Sequence, residues 1–185
     1  MPVERSRALA GDVKPATLGA PAVLRAALAI AALLVLATAA MAVEVGDPAP
    51  MFALRDARNG PVTLDALRGE VVYVDFWASW CGPCRRSFPW MNEMQRRYGG
   101  RGLTIVAINV DKNAADAARF LERNPAQFAV AYDAAGATPL AYAVRDMPSS
   151  YLIDSRGKVV EVEHGFHDER KDVLERRIQA LLAAR

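Results

Sequence analysis

The sequence predicts an α/β domain, a central mixed β-sheet flanked by helices with an N-terminal β-hairpin. Three observations carry that expectation. Val71–Trp77 is a near-continuous apolar run with β-branched and aromatic residues, the pattern of a central strand buried on both faces. Strand-like and helix-like segments then alternate, as crossover units on a sheet do. The chain closes with two short strands joined by a turn, followed by an amphipathic helix.

Before the domain comes a different kind of segment. Ala26–Val43 contains no charge, follows Arg5, Arg7, Lys14 and Arg25, and runs into Ala40-Met41-Ala42. A basic start, an apolar stretch and small residues spaced A-x-A read as a secretory signal peptide over 1–42, with cleavage after Ala42. The alternative is an N-terminal membrane anchor, since eighteen uncharged residues reach the lower limit of a span. Either reading sends the domain at 43–185 to an oxidising compartment: the periplasm, or the outer face of the inner membrane. Membrane contact is then confined to residues 26–43 and requires that they stay attached.

Along the domain, Phe52-Ala53-Leu54 and Val62-Thr63-Leu64 flank Asn59-Gly60, a hairpin signal. After the central strand, Pro83–Tyr98 has helical character and meets Gly99-Gly100, which should end it. Leu103–Val110 is a second buried strand, Ala114–Arg123 a helix closed near Asn124-Pro125, and Phe128–Tyr132 a short strand. Thr138–Tyr142 has the look of a helical turn. Tyr151–Ile153 and Lys158–Val162 are strands joined through Asp154-Ser155-Arg156-Gly157. Asp168 or a neighbour is expected to cap the final helix, whose apolar stripe is Val173, Leu174, Ile178, Leu181 and Leu182.

Charge narrows the function. Of 23 basic and 21 acidic residues, four and two lie in 1–42, leaving nineteen of each in the domain. A neutral domain has no global basic excess to hold a phosphate backbone, so no nucleic-acid partner is expected.

The chemistry concentrates in Trp80-Cys81-Gly82-Pro83-Cys84, placed where the central strand turns into a helix. A cysteine at a helix start meets unpaired backbone N–H groups and the positive end of the helix dipole. Both favour thiolate over thiol and lower the thiol pKa. Pro83 suits the first helical turn because its missing N–H has no intrahelical partner there. Cys84, one turn on, can close onto Cys81 with little backbone change. Cys81 is therefore the expected nucleophile and Cys84 the resolving thiol, with the Cys81–Cys84 disulfide as the only redox group and no cofactor or metal. Asp75, six residues before Cys81, is an acid on a buried strand. Burial without a cation raises a carboxyl pKa, which suits a proton acceptor for the Cys84 thiol.

Two other readings of the pair exist. A stabilising disulfide closing so short a loop is worth roughly 2 kcal/mol, the low end of its range. A zinc site wants four ligands, and His164 and His167, the only two histidines, lie far from the cysteines in sequence. A redox switch fits the strand-to-helix placement better than either.

The run Val74-Asp75-Phe76-Trp77-Ala78-Ser79-Trp80-Cys81-Gly82-Pro83-Cys84 closely resembles the active-site segment of thioredoxins. The opening Val45-Gly46-Asp47-Pro48-Ala49-Pro50-Met51-Phe52, the helix stretch Phe88-Pro89-Trp90-Met91-Asn92 and the later Met147-Pro148-Ser149-Ser150-Tyr151-Leu152-Ile153-Asp154 resemble the exported TlpA/ResA/DsbE-type branch. The resemblance spans about Val45–Leu182 and implies a thioredoxin-like fold and a thiol–disulfide oxidoreductase that reduces protein disulfides. It implies that Pro148 is a cis-proline facing the cysteine pair, the alternative being an ordinary trans-proline at a strand start. Substrate contact is expected from Trp80, Gly82, Pro83, Met147 and Pro148. The implied partners are protein disulfides and a membrane thiol–disulfide electron donor, with the chain acting as a monomer. Many ResA- and DsbE-type members carry Glu three residues after the second cysteine; here that residue is Ser87, read as a neutral helix residue, and Asp75 takes the proton-handling role instead.

Two further functions remain open on the residues. The Pro48-Ala49-Pro50-Met51-Phe52 opening is shared with peroxiredoxin-like chains, which would make the protein a peroxide reductase. A dithiol carrier of Cu(I), a soft ion suited to thiolates, is the non-enzymatic alternative. Trp77 is expected in the core, Met91 and Met94 as core or groove fillers, and Pro89 is expected to kink the first helix.

Overall fold

The structure is a computed structural model that describes residues 42–185. The proposed signal peptide or anchor lies outside the described residues, apart from Ala42 and Val43 at its end. Seven strands form one mixed sheet in the order β2-β1-β5-β4-β3-β6-β7. They are β1 (Ala53–Asp56), β2 (Pro61–Thr63), β3 (Val71–Trp77), β4 (Leu103–Asn109), β5 (Ala129–Tyr132), β6 (Ser149–Ile153) and β7 (Val159–His164). The helices are α1 (Cys84–Tyr98), α2 (Ala114–Arg123), α3 (Ala137–Ala141) and α4 (Lys171–Ala183).

β3 runs parallel to β4 and antiparallel to β6, so it lies inside the sheet with neighbours on both edges. All seven of its residues are buried. Alternation splits them between two layers: Val71, Tyr73 and Trp77 join the layer that contains Cys81 and Cys84, while Val72, Val74 and Phe76 join the opposite one. Asp75 shares the side of Tyr73 and Trp77, which aims the strand's one acid at the layer of the cysteines.

That layer is closed by three helices. α1 contributes Cys84, Phe88, Met91, Met94 and Tyr98, a stripe at helical spacing; α2 contributes Ala117 and Phe120; α4 contributes Leu174 and Ile178. Trp77, wholly buried, packs against Phe88 and Phe120 with ring centroids 5.1 and 4.8 Å away. Each such side chain contributes on the order of 1.5–3 kcal/mol by leaving water. The opposite layer is covered by Ala49 and Phe52 from the N-terminal segment, by Leu64, and by Tyr142 just after α3.

At the sheet edge, β1 pairs antiparallel with β2 and with β5. The β1–β2 turn is held by the Asp56 carboxylate, which accepts from the backbone N–H groups of Arg58 and Gly60 at 2.9 and 2.7 Å. Asn59 takes a left-handed φ of 63° there, a conformation that its short polar side chain tolerates.

Two local expectations are corrected. α1 ends at Tyr98, but Gly99–Arg101 continue as a 3₁₀ turn, and the left-handed stop is Gly102, at φ 99°. Pro89 lies within α1, on its exposed side. Asp168 does not cap α4: a 3₁₀ turn at Asp168–Arg170 comes first, and the Asp168 carboxylate is drawn to the Lys171 ammonium and lies 3.9 Å from Arg86.

Candidate active site

Cys81 and Cys84 form a disulfide at the end of β3, where the chain enters α1. Pro83 is the cap residue, already in helical conformation at φ −61°, so its fixed ring angle suits the helix start. The backbone N–H of Cys84 points at Cys81 Sγ from 3.2 Å. A first-turn N–H without an intrahelical acceptor is thereby aimed at the sulfur that would carry negative charge on reduction. Cys84 is fully buried, and Cys81 keeps 4% exposure in the disulfide. Around it Trp80 is 71% exposed, and Gly82 and Pro83 are exposed as well. The accessible surface over the disulfide is thus the Trp80-Cys81-Gly82-Pro83 loop.

The Met147–Pro148 peptide bond is cis. Ser149 pairs with Phe76 on β3, and this register sets Pro148 beside the end of the strand from which the cysteine loop departs. Pro148 is buried, its carbonyl accepts from Gly165 N–H at 2.7 Å, and Met147 packs against the layer that includes both cysteines. The sequence-predicted residues Trp80, Cys81, Gly82, Pro83, Cys84, Met147 and Pro148 therefore gather at one end of the sheet.

Asp75 stands behind them at 1% exposure, and its Oδ2 has no hydrogen-bond partner among the described residues. Burial holds its carboxyl well above the usual carboxylate range, because no cation or N–H repays the lost hydration of the charged form. Tyr73, two residues earlier on the same side, donates to Ser150 Oγ at 2.7 Å; burial foremost, then the Asp75 charge, push its phenol up. Asp75 is thus a buried, uncompensated carboxyl on the side of the sheet that faces the layer of the cysteines.

Other supports were not legible in the sequence. Asp111, just past β4, accepts from Ser79 N–H at 2.9 Å, Ser79 hydroxyl at 3.1 Å and Asn109 Nδ2 at 2.9 Å. It ties down the loop two residues before Cys81. The polar pair Asn109 and Asp111 closing a buried apolar strand was the available signal. Ser87 is a neutral residue of α1, as expected, and is buried, its hydroxyl donating to the Cys84 carbonyl at 3.0 Å. Phe166 lies against Trp90, and its carbonyl accepts from Arg86 at 3.5 Å, which brings the segment after β7 alongside the start of α1. His164 ends β7 and His167 Nε2 lies 3.2 Å from its carbonyl; among the described residues no cluster of three or more His, Cys, Asp or Glu forms.

A dithiol–disulfide pair at a strand-to-helix turn, opposite a cis-proline, on a mixed sheet with helices packed over it, defines a thioredoxin-like redox protein. Residues 44–178 match the Redoxin family. The chain is 33% identical over 132 residues to a thiol-disulfide oxidoreductase ResA of Bacillus thuringiensis, covering 71% of this chain and 75% of that one. It is 37% identical over 124 residues to the ResA of Geobacillus thermodenitrificans, covering 67% and 71%. A Chlorobium tepidum crystal structure described as a thiol:disulfide interchange protein DsbE superposes with a TM-score of 0.74 at 50% identity, over 76% of this chain and 99% of that one. The chain belongs to the Redoxin family and, within it, to the thiol–disulfide oxidoreductases of the ResA/DsbE type.

Proposed function

We propose that the protein reduces protein disulfides outside the cytoplasmic membrane, using Cys81 as nucleophile, Cys84 as resolving thiol and Asp75 as proton acceptor. The observation that carries this reading is the Cys84 backbone N–H aimed at Cys81 Sγ at the start of α1. Reduced Cys81, as thiolate, attacks one sulfur of a substrate disulfide; the substrate S–S bond breaks and one substrate thiolate leaves. Cys84 passes its proton to the Asp75 carboxylate and attacks Cys81 Sγ. The second substrate thiolate leaves, two electrons have moved to the substrate, and the Cys81–Cys84 disulfide remains.

Trp80, Gly82, Pro83, Met147 and Pro148 form the contact surface for the substrate chain. A membrane thiol–disulfide donor returns the dithiol, and the chain works as a monomer with no cofactor. The segment 1–42 exports the domain to the periplasm or anchors it there. Among the described residues no helix is long and apolar enough to cross a membrane.

The reductive direction is tested by the potential of the Cys81–Cys84 couple in glutathione redox buffers. The expected value lies nearer the roughly −270 mV of a thioredoxin-type reductant than the roughly −120 mV of a strong oxidant. A value at the oxidant end reverses the direction of electron flow and overturns the reductase assignment.

A further inference from the structure

One recess beside the cysteine loop plays no part in the exchange chemistry. It has a volume of about 440 Å³ and is lined by Ser79, Arg85, Asp116, Arg119, Phe120 and Arg123, with Asn124 at its edge. Ser79 and Arg85 bracket the Cys81–Cys84 pair in sequence, so the recess opens next to the disulfide. Its far wall is α2, where Asp116, Arg119 and Arg123 fall on one side of the helix at three- and four-residue spacing.

The charge is unbalanced. Arg119 pairs with Asp116. Arg123 spends its Nε–H on the Arg119 carbonyl at 3.2 Å, and among the described residues neither it nor Arg85 has a carboxylate within 4.0 Å. The recess therefore carries three guanidiniums against one carboxylate, on a domain whose total charge is zero. Phe120, buried, adds an apolar surface to the lining, while the three guanidiniums stay exposed to solvent and to an approaching anion. Arg side chains present planar forks matched to a carboxylate, and Ser79 is locked in place by Asp111 at its rim.

We infer that this arginine recess receives an acidic side chain, Asp or Glu, lying within a few residues of the attacked cysteine of the substrate protein. The inference rests on the proposed disulfide reduction and adds a selection rule to it. A substrate whose cysteine reaches Cys81 can extend past Ser79 or Arg85, and an extended chain advances about 3.3 Å per residue. A residue a few positions from that cysteine thus comes within reach of Arg85 and the recess it lines. Opposite charge at the recess raises both the encounter rate and the lifetime of the productive complex.

The test is single-turnover reduction by the pre-reduced protein of synthetic peptides, each closed by one disulfide and differing only in Glu, Gln or Lys near the attacked cysteine. The Glu peptide is expected to react roughly fivefold faster than the Gln peptide, as a few solvent-exposed charge pairs allow. Raising the ionic strength should shrink that ratio. In the doubly substituted Arg119→Glu, Arg123→Glu protein the order should invert, with the Lys peptide fastest. Both sites are exposed on α2, and an inversion with retained turnover cannot come from misfolding. Equal rates for the three peptides, or an unchanged preference in the charge-reversed protein, overturn the recess while leaving disulfide reduction intact. No reduction of any peptide overturns both.

Discussion

A Cys84→Ser protein is expected to stop at the mixed disulfide, with Cys81 covalently joined to its partner and turnover reduced on the order of 10³-fold or more. Cys84 is fully buried one helical turn from Cys81, and the two sulfurs meet in the disulfide without an outside reagent. Held in that geometry, Cys84 acts at an effective concentration far above the millimolar thiol that might replace it from solution. Serine keeps the size of the side chain but is a poor nucleophile toward sulfur, so release must wait for external thiol. Mass spectrometry of the trapped species reads out the substrate sequences as well as the attachment site. Absence of any trapped protein, with Cys81 shown to react with alkylating reagents, would remove protein disulfides from the substrate list.

Asp75→Asn is expected to slow release of the mixed disulfide about 10²-fold, the lower end of general-base contributions, and to leave its formation almost unchanged. Formation uses the Cys81 thiolate, which is held by the helix start. Release needs the proton of the buried Cys84, and an amide cannot take it. The same residue sets a stability signature. Burial raises the Asp75 pKa in the folded chain. Below the ordinary carboxyl pKa of about 3.9 the group is protonated in both states and costs nothing. As pH rises through the raised folded pKa, the unfolded chain ionises first and folding stability is lost. Asp75→Asn should therefore melt several degrees above the parent at neutral pH, with the gap closing below about pH 4. Rapid-mixing kinetics separates the two exchange steps. Equal slowing of both takes Asp75 out of the proton transfer, and a lower melting temperature contradicts its uncompensated burial.

The fold was legible wherever one-dimensional pattern and burial coincide. Val71–Trp77 reads as a two-sided buried strand because both of its faces are covered, and Asp75 stands out in it because nothing else in the run is charged. α1 and α2 follow from apolar residues at helical spacing, and Asn113 caps α2 through its own side chain, accepting from Ala115 N–H at 3.0 Å. Contacts between distant segments were not legible. The hold of Asp111 on Ser79 crosses 32 positions, and that of Phe166 on Arg86 crosses 80. Both depend on β4 and β7 ending at the same level as β3, which a sheet register fixes and a sequence does not announce. The same holds for the arginine recess, which exists only once Arg119 and Arg123 of α2 are laid beside Arg85. Asp168 shows the reverse error, since an acid before a helix reads as a cap, and the cations that claim it, Lys171 and Arg86, are a turn away in one case and on another helix in the other.

The most direct measurement is the pH dependence of alkylation of Cys81 in the reduced protein, with Cys84 distinguished by mass spectrometry. If the Cys84 N–H and the start of α1 hold the Cys81 thiolate, reaction should rise with an apparent pKa clearly below the roughly 8.5 of free cysteine, and Cys84 should stay unmodified across the same range. An apparent pKa at or above the free value, or a Cys81 inert to reagent, would contradict the account.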